Sequence, residues 1–326
     1  MIDYLRSPFV KKIINIVTSI ILLGIALYIL DWETMIEVIG KLDIVILVFA
    51  IVICTSQFIF LAMRWFYLIK DSAALGFYEH FWRYLISTFV NSFTPSNIGG
   101  DVYRTISLKP YVERSSKVIT MLLRERMVGL LSFLMMYTIC ISLYNLFSIE
   151  SEGKEDDIFN LFVVFVLIGL IIIFYLPKIS SLLLQLKFIK KSKSIKTTIE
   201  YIRVIFTFSS VKDFLILLGF SFVALLLWIY MIQLIAIQLD IVLAWYVIGM
   251  IAAMVELARL VPITIQGIGL RESFFAYLLS LLGQSPEAGF VLGGMGYILL
   301  SISILLSGLI GYLLSFSAVK NFIVDN

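Results

Sequence analysis

The chain is constrained first by its apolar runs. A run of roughly 18 or more residues with few charges is long enough to cross a bilayer as a helix. Such runs extend from Ile13 to Leu30, Ile44 to Met63, Met127 to Phe147, Ile158 to Leu176, Phe214 to Ile237 and Phe290 to Phe316. Composition agrees: 61% of the 326 residues are hydrophobic and 14% are charged, against about half and about a quarter in soluble domains. In lipid every backbone amide needs an internal partner, so spanning segments are helices or closed barrels. The run lengths select helices. The predicted fold is therefore all-α, a polytopic integral membrane protein forming a single membrane domain over residues 1–326. It is expected to hold about 6 full transmembrane helices and two broken or re-entrant hairpins, about 8 membrane segments in all.

Charge placement gives the expected topology. A basic N-terminus (Arg6, Lys11, Lys12), the Arg64–Lys70 loop and a basic segment over 178–212 fall on one side. Acidic loops over 31–43 and 148–157 fall on the other. The basic side is assigned to the cytoplasm. The expectation is a multi-pass protein of the cell membrane with both termini cytoplasmic. The first run, with no small-residue cleavage site after it, reads as a retained span. Arg64-Trp65 at the end of the second run reads as an interfacial anchor. The 178–212 segment, with lysines interleaved among leucines and isoleucines, reads as a cytoplasmic amphipathic linker on the membrane surface. The two cysteines, Cys54 and Cys140, lie in apolar runs as small buried hydrophobes. His80, beside Phe81 and Trp82, reads as interfacial. Neither a cofactor nor a metal site is expected, and no nucleic-acid partner.

Two stretches interrupt the apolar pattern. One is Pro95-Ser96-Asn97-Ile98-Gly99-Gly100-Asp101-Val102-Tyr103-Arg104; the other is Pro262-Ile263-Thr264-Ile265-Gln266-Gly267-Ile268-Gly269-Leu270-Arg271-Glu272. Each joins a helix breaker, glycines, an arginine and an acid. At membrane depth, broken backbone survives only inside protein or beside a wet cavity, and ionisable residues there mark function. With Pro95 aligned on Pro262, Gly100 falls on Gly267 and Arg104 on Arg271. The charge topology makes each segment return to its own side. The first half, 13–147, then carries a re-entrant segment over 79–110, and the second half, 213–316, carries over 242–282 either a re-entrant segment entering from the opposite side or a pair of short crossings. Paired broken helices of opposite orientation point to an inverted-repeat transporter.

The chemistry of the pair suits an anionic headgroup. Glycines let a ligand approach the backbone, a helix start after them carries partial positive charge, and Arg104 and Arg271 can hold phosphate bidentately. Asp101 and Glu272 either orient those arginines or meet a cationic group. In the alternative, Arg104–Asp101 and Arg271–Glu272 are structural pairs at the hairpin tips. Glu256 and Arg259 share a helix face and are expected to pair with each other or to answer Arg124, Glu125 and Arg126. Asn91, Gly99 and Gly269 complete the candidate substrate-binding set. No catalytic residue is assigned. Gly289, Gly293, Ser303, Ser307 and Gly311 in the last run are a helix-packing signal.

These residues also carry a resemblance. Asn91-Ser92-Phe93-Thr94-Pro95 with Gly99-Gly100-Asp101 and Arg104, then Arg124-Glu125-Arg126 with Gly129, then Pro262 with Gly267, Gly269 and Arg271-Glu272, resemble in order three motifs of the lysylphosphatidylglycerol synthase transmembrane region, also called flippase-like or UPF0104 proteins. Gln266 departs from the pattern, where a small residue is common. In two-domain members a soluble domain transfers lysine or alanine to phosphatidylglycerol, and the membrane domain moves the product across. Because this chain ends at Asn326, soon after its last run, it is expected to be a stand-alone member without the transferase, and not an enzyme. The resemblance implies a lipid translocase for a phospholipid or a polyprenyl-phosphate-linked lipid. No nucleotide-binding loop of the Gly-x4-Gly-Lys type is present, so ATP hydrolysis is not encoded. The alternative is a membrane enzyme, with Asp101, Glu256 or Glu272 as acid–base groups, or an accessory subunit in aminoacyl-phospholipid or lipid-linked glycan synthesis. The partners implied are membrane lipid and a separate lipid-modifying enzyme, with assembly into a homo-oligomer left open.

Overall fold

The computed structural model describes residues 17–94, 98–147, 175–185, 193–208, 210–259, 264 and 266–324, apart from 19, 22, 26 and 27. These residues form helices: α1 (Trp32–Gly40), α2 (Ile44–Ile69), α3 (Phe77–Ser92), α4 (Gly99–Leu108), α5 (Ser115–Phe147), α6 (Lys193–Phe206), α7 (Val211–Gln238), α8 (Trp245–Ala258), α9 (Leu270–Leu281) and α10 (Pro286–Val324). A 3-10 turn, Lys109–Tyr111, follows α4. Among the described residues four helices are long and apolar enough to cross a membrane: α2, α5, α7 and, over Pro286–Phe316, α10. Of the expected first span, residues 17–29 are helical where described. The expected fourth span, 158–176, lies outside the described residues except at 175 and 176.

Helix starts follow from local polar chemistry. Asp31 accepts from the Thr34 amide at 3.0 Å, Asp43 from the Val45 amide at 2.7 Å and Ser210 from the Asp213 amide at 3.1 Å. Each satisfies a first-turn donor that the helix leaves open. The charged run 113–126 does not form a separate segment from the third span. From Ser115 it continues into α5 without a break.

The bundle has two ends. At one, Lys41 meets Asp240 at 2.8 Å, the Asp43 amide donates to Gln238 at 2.5 Å, and the Phe147 and Tyr246 rings lie 6.0 Å apart. At the other, the Tyr67 hydroxyl donates to Asp213 at 2.6 Å, Phe66 packs on His80 at 5.6 Å, and the Tyr78 hydroxyl donates to the Leu314 carbonyl at 3.1 Å. We call these the Lys41 end and the Tyr67 end.

The short helices are arranged against this frame. Helix α3 starts at the Tyr67 end and runs antiparallel to α10, with Gly311 opposite Leu85 and Trp82 and Gly308 opposite Phe89. Helix α4 returns to that end, where Leu108 is buried with Trp65, Ile69 and Tyr84. Helix α8 starts at the Lys41 end. Helix α9 runs back to it, also antiparallel to α10, with Gly293 opposite Glu272 and Gly289 opposite Ala276. The α3–α4 and α8–α9 pairs thus enter the bundle from opposite ends and share α10 as a wall.

The main core joins α2, α7, α8, α9 and α10 through Cys54, Ile235, Ile248, Phe275 and Leu292. Both cysteines are buried and unpaired. His80 is a correction: it is not interfacial but fully enclosed, at 0% exposure. The Phe66 ring of α2 packs on it, and Phe77 at the start of α3 packs on Phe66. The expected linker shows helix at 175–183 and in α6, while 186–192 lie outside the described residues.

Candidate functional site

The first breaker stretch makes a tight tip. Helix α3 ends at Ser92. Asn91 Oδ1 accepts from the Gly100 amide at 2.7 Å, and Thr94 Oγ1 accepts from the Gly99 amide at 3.0 Å. Pro95 lies outside the described residues. Gly100 is required by crowding: a Cβ there would stand 2.1 Å from the Ser87 carbonyl oxygen. The two amides proposed for a ligand therefore already have side-chain partners within the tip.

Below this tip lies a buried ion network. Glu125 of α5 shares its carboxylate between two arginines: Arg104 Nη1 at 2.7 Å and Arg64 Nη2 at 3.3 Å. Arg64 also donates to Ser221 of α7 at 2.9 Å. Asp101 takes Arg104 Nη2 at 2.8 Å and Arg126 Nη2 at 2.6 Å. The Arg104 guanidinium lies 4.4 Å from the Trp65 ring centroid and 5.2 Å from that of Tyr84, within cation–π range. Glu125 is only 4% exposed. Four helices, α2, α4, α5 and α7, are tied through one carboxylate and its neighbours. Arg64 is thus not an interfacial anchor but a buried member of this network. Arg124 points elsewhere, donating to the Val204 carbonyl of α6.

The second breaker stretch forms the other tip. Pro262 lies outside the described residues. Gln266 takes a left-handed φ of 58° and Gly267 one of 81°, a conformation natural to glycine and strained for glutamine. Glu272 Oε2 accepts from the Gly269 amide at 2.8 Å, so Glu272 caps α9 rather than pairing with Arg271. Glu256 instead takes both arginines: Arg259, in direct contact, and Arg271 Nη2, at 3.6 Å. Arg271 lies 4.9 Å from the Tyr297 ring centroid. The aligned glycines differ in register: Gly100 sits inside α4, whereas Gly267 sits in the turn before α9.

The Arg271 guanidinium has spare capacity. Its Nε and Nη2 are buried and have no hydrogen-bond partner, since 3.6 Å to Glu256 is too long for one. Those two N–H groups form one edge of the fork, the edge that receives carboxylate or phosphate bidentately. Gly267 borders that edge: a Cβ there would stand 3.2 Å from Nε.

The two tips touch. Gln266 Nε2 donates to the Ser92 carbonyl at 2.7 Å and approaches that of Asn91 at 3.4 Å. Contacts therefore run from Arg271 through Gly267 and Gln266 to Asn91 and Gly100, and on to Asp101 and Arg104. The sequence motifs point to most of these residues. Arg64, Ser221, Tyr297 and the bridging role of Gln266 carry no motif; only the departure at Gln266 marks it. Among the described residues no cluster of His, Cys, Asp and Glu is suited to a metal ion.

The comparisons come to one family. The family model described as "Lysylphosphatidylglycerol synthase TM region" matches residues 12–319. No curated protein and no solved structure matches the chain. The family match covers both tips, the ion network and all four long helices, so the chain belongs to the lysylphosphatidylglycerol synthase TM region family.

Proposed function

We propose that the chain is a lipid translocase that lets a lipid with a phosphate-bearing headgroup cross the membrane, with Arg271 as the central headgroup contact. In this reading α3–α4 and α8–α9 are re-entrant hairpins of an inverted repeat, and the Tyr67 end faces the cytoplasm. The Nε–Nη2 edge of Arg271, which has no hydrogen-bond partner and only a long ion pair to Glu256, carries the reading; it lies beside Gly267, where the tips meet. A buried N–H pair without an acceptor costs about 1–3 kcal/mol per group. A phosphate oxygen pair removes that cost and meets the positive charge.

A headgroup crossing lipid must shed its negative charge or cover it. Arg271 covers it near mid-bundle. Arg104 and Arg126, with Asp101, lie beyond the tip contact on the route to the Tyr67 end. Glu256 and Asp101 offer acceptors for a cationic part of a zwitterionic headgroup. The network moves no bond and needs no cofactor; transport follows the lipid gradient.

The test is reconstitution into liposomes with a fluorescent phospholipid and an external quencher. The wild type exposes inner-leaflet label with unaltered lipid by mass spectrometry. Arg271→Ala, which leaves Glu256 paired with Arg259, falls to the protein-free rate. Wild-type scrambling by Arg271→Ala removes the headgroup role, and a chemically changed lipid supports a membrane enzyme instead. Single cysteines at Ile98 and Thr264 test the hairpins: labelling of both from one face of the membrane alone contradicts opposed entry.

A further inference from the structure

We infer a second phosphate-binding site, built on Arg83 at the base of the α3–α4 hairpin and separate from the tips. Arg83 is 7% exposed and, among the described residues, makes no ion pair with a carboxylate. The other arginines buried to this degree, Arg64, Arg104 and Arg271, each face Glu125 or Glu256. Arg83 Nη1 donates to the Glu79 carbonyl at 2.7 Å and the guanidinium also meets the Tyr111 hydroxyl, while its Nε is buried without a partner. The Glu79 carboxylate acts on it only from beyond ion-pair distance; a buried charge without a close counterion costs several kcal/mol, so an anion from outside is the missing element.

The surroundings specify the anion. The Arg83 guanidinium lies 4.1 Å from the Trp82 ring centroid and 5.3 Å from that of Tyr111. Two aromatic neighbours hold a planar guanidinium, and its unpartnered Nε is left to an oxyanion. The neighbouring buried polar side chain, His80, is fully enclosed and brings no negative charge. Tyr111 is exposed and sits beside exposed Lys109 in the 3-10 turn. Tyrosine and tryptophan at the end of a bundle are placed where a bilayer has its phosphates. The ligand chemistry is a phosphate oxyanion, supplied by a phospholipid headgroup or by free phosphate. The site rests on the membrane reading but not on transport, because a bound lipid that never crosses would fill it equally.

Binding in detergent tests it, with the tip contact removed by Arg271→Ala in every sample. Short-chain phosphatidylglycerol, short-chain diacylglycerol and inorganic phosphate are titrated, read by native mass spectrometry and by the rise in unfolding temperature. Phosphatidylglycerol is expected to bind and diacylglycerol not. Arg83→Gln is expected to lower the affinity about tenfold or more, the scale of a lost charged hydrogen bond. Tyr111→Leu, which keeps the charge, is expected to weaken binding less. Inorganic phosphate that competes with the lipid supports a site for either source; failure to compete assigns it to the headgroup. Unchanged affinity in Arg83→Gln overturns the site. So does a fall in its lipid-free unfolding temperature with the lipid-induced rise intact, which marks Arg83 as a clamp between α3 and the turn. If scrambling fails while this binding holds, only the translocase reading is lost.

Discussion

Gln266 and Ser92 join the two hairpin tips through a 2.7 Å hydrogen bond from side-chain amide to main-chain carbonyl. The bond ties helices that enter from opposite ends, and the glutamine holds a φ of 58° to make it. Gln266→Ala is expected to lose the bond, about 0.5–1.5 kcal/mol, and to keep the strain. Gln266→Gly loses the same bond but relieves the backbone, so it should be the more stable of the two by about 0.5–1 kcal/mol. Chemical unfolding of both variants in detergent checks the order. In both, a cysteine at Thr264 should label faster than in the wild-type background.

Glu125 holds Arg104 and Arg64 at once. Glu125→Ala leaves two buried guanidinium groups without their shared acid. Breaking one buried pair costs about 3–5 kcal/mol, so the variant should be severely destabilised or fail to accumulate. Ser221→Ala removes only the outer hydrogen bond to Arg64, and about 1 kcal/mol is expected. Thermal unfolding of the two variants should separate them widely.

Two glycines near the network should respond oppositely to alanine. At Gly100 the new methyl would meet the Ser87 carbonyl oxygen at 2.1 Å, so α3 and α4 must part. A loss of about 1–3 kcal/mol or more follows from such overpacking. At Gly129 the nearest atom would be Arg64 Nη1 at 3.6 Å, ordinary contact. Gly129→Ala should be neutral or slightly stabilising, because alanine suits a helix interior better. Unfolding midpoints measured side by side decide the matter.

The Lys41–Asp240 bridge gives a pH signature. The hydrogen bond and charge of Asp240 hold the Lys41 pKa above its ordinary value of 10.5. A raised pKa means the bridge contributes fully below the ordinary value and loses its contribution as pH rises through the folded one. Lys41→Gln should therefore be less stable than wild type near neutral pH, and the gap should close in strong alkali. The pair is partly exposed, so added salt should narrow the gap as well. Unfolding temperatures across pH and salt check both trends.

The sequence showed the bundle more clearly than its polar interior. Apolar runs place α2, α7 and α10 because length and hydropathy are local properties. Helix ends were less legible: α2 continues past Arg64-Trp65 to Ile69, since a charge at a span end is written the same way whether it reaches water or a buried acid. The partner of Arg64, Glu125, is 61 residues away and invisible to a window. Arg124-Glu125-Arg126 are consecutive charges, and successive helical residues point about 100° apart. One helix thus sends Arg124 to α6, Glu125 inward and Arg126 to Asp101. The same rotation explains why Arg271 and Glu272, adjacent in sequence, do not pair: Arg271 faces Glu256 while Glu272 closes its own helix start.

Helix α10 gives the arrangement a mechanical consequence. It meets α9 through Gly289 and Gly293, and α3 through Gly308 and Gly311. At Gly289 and Gly293 backbone rests close to backbone, and at Gly308 and Gly311 the α10 backbone receives Phe89 and Leu85, with no side chain on the α10 side to interlock: a Cβ at Gly289 would stand 2.8 Å from the Ala276 Cα. Interlocked side chains resist sliding, whereas smooth contacts permit the small shear movements by which packed helices shift. The last helix is therefore a rail with two bearings, one for each hairpin. Where the two hairpins meet, the Gln266 side chain links one to the other.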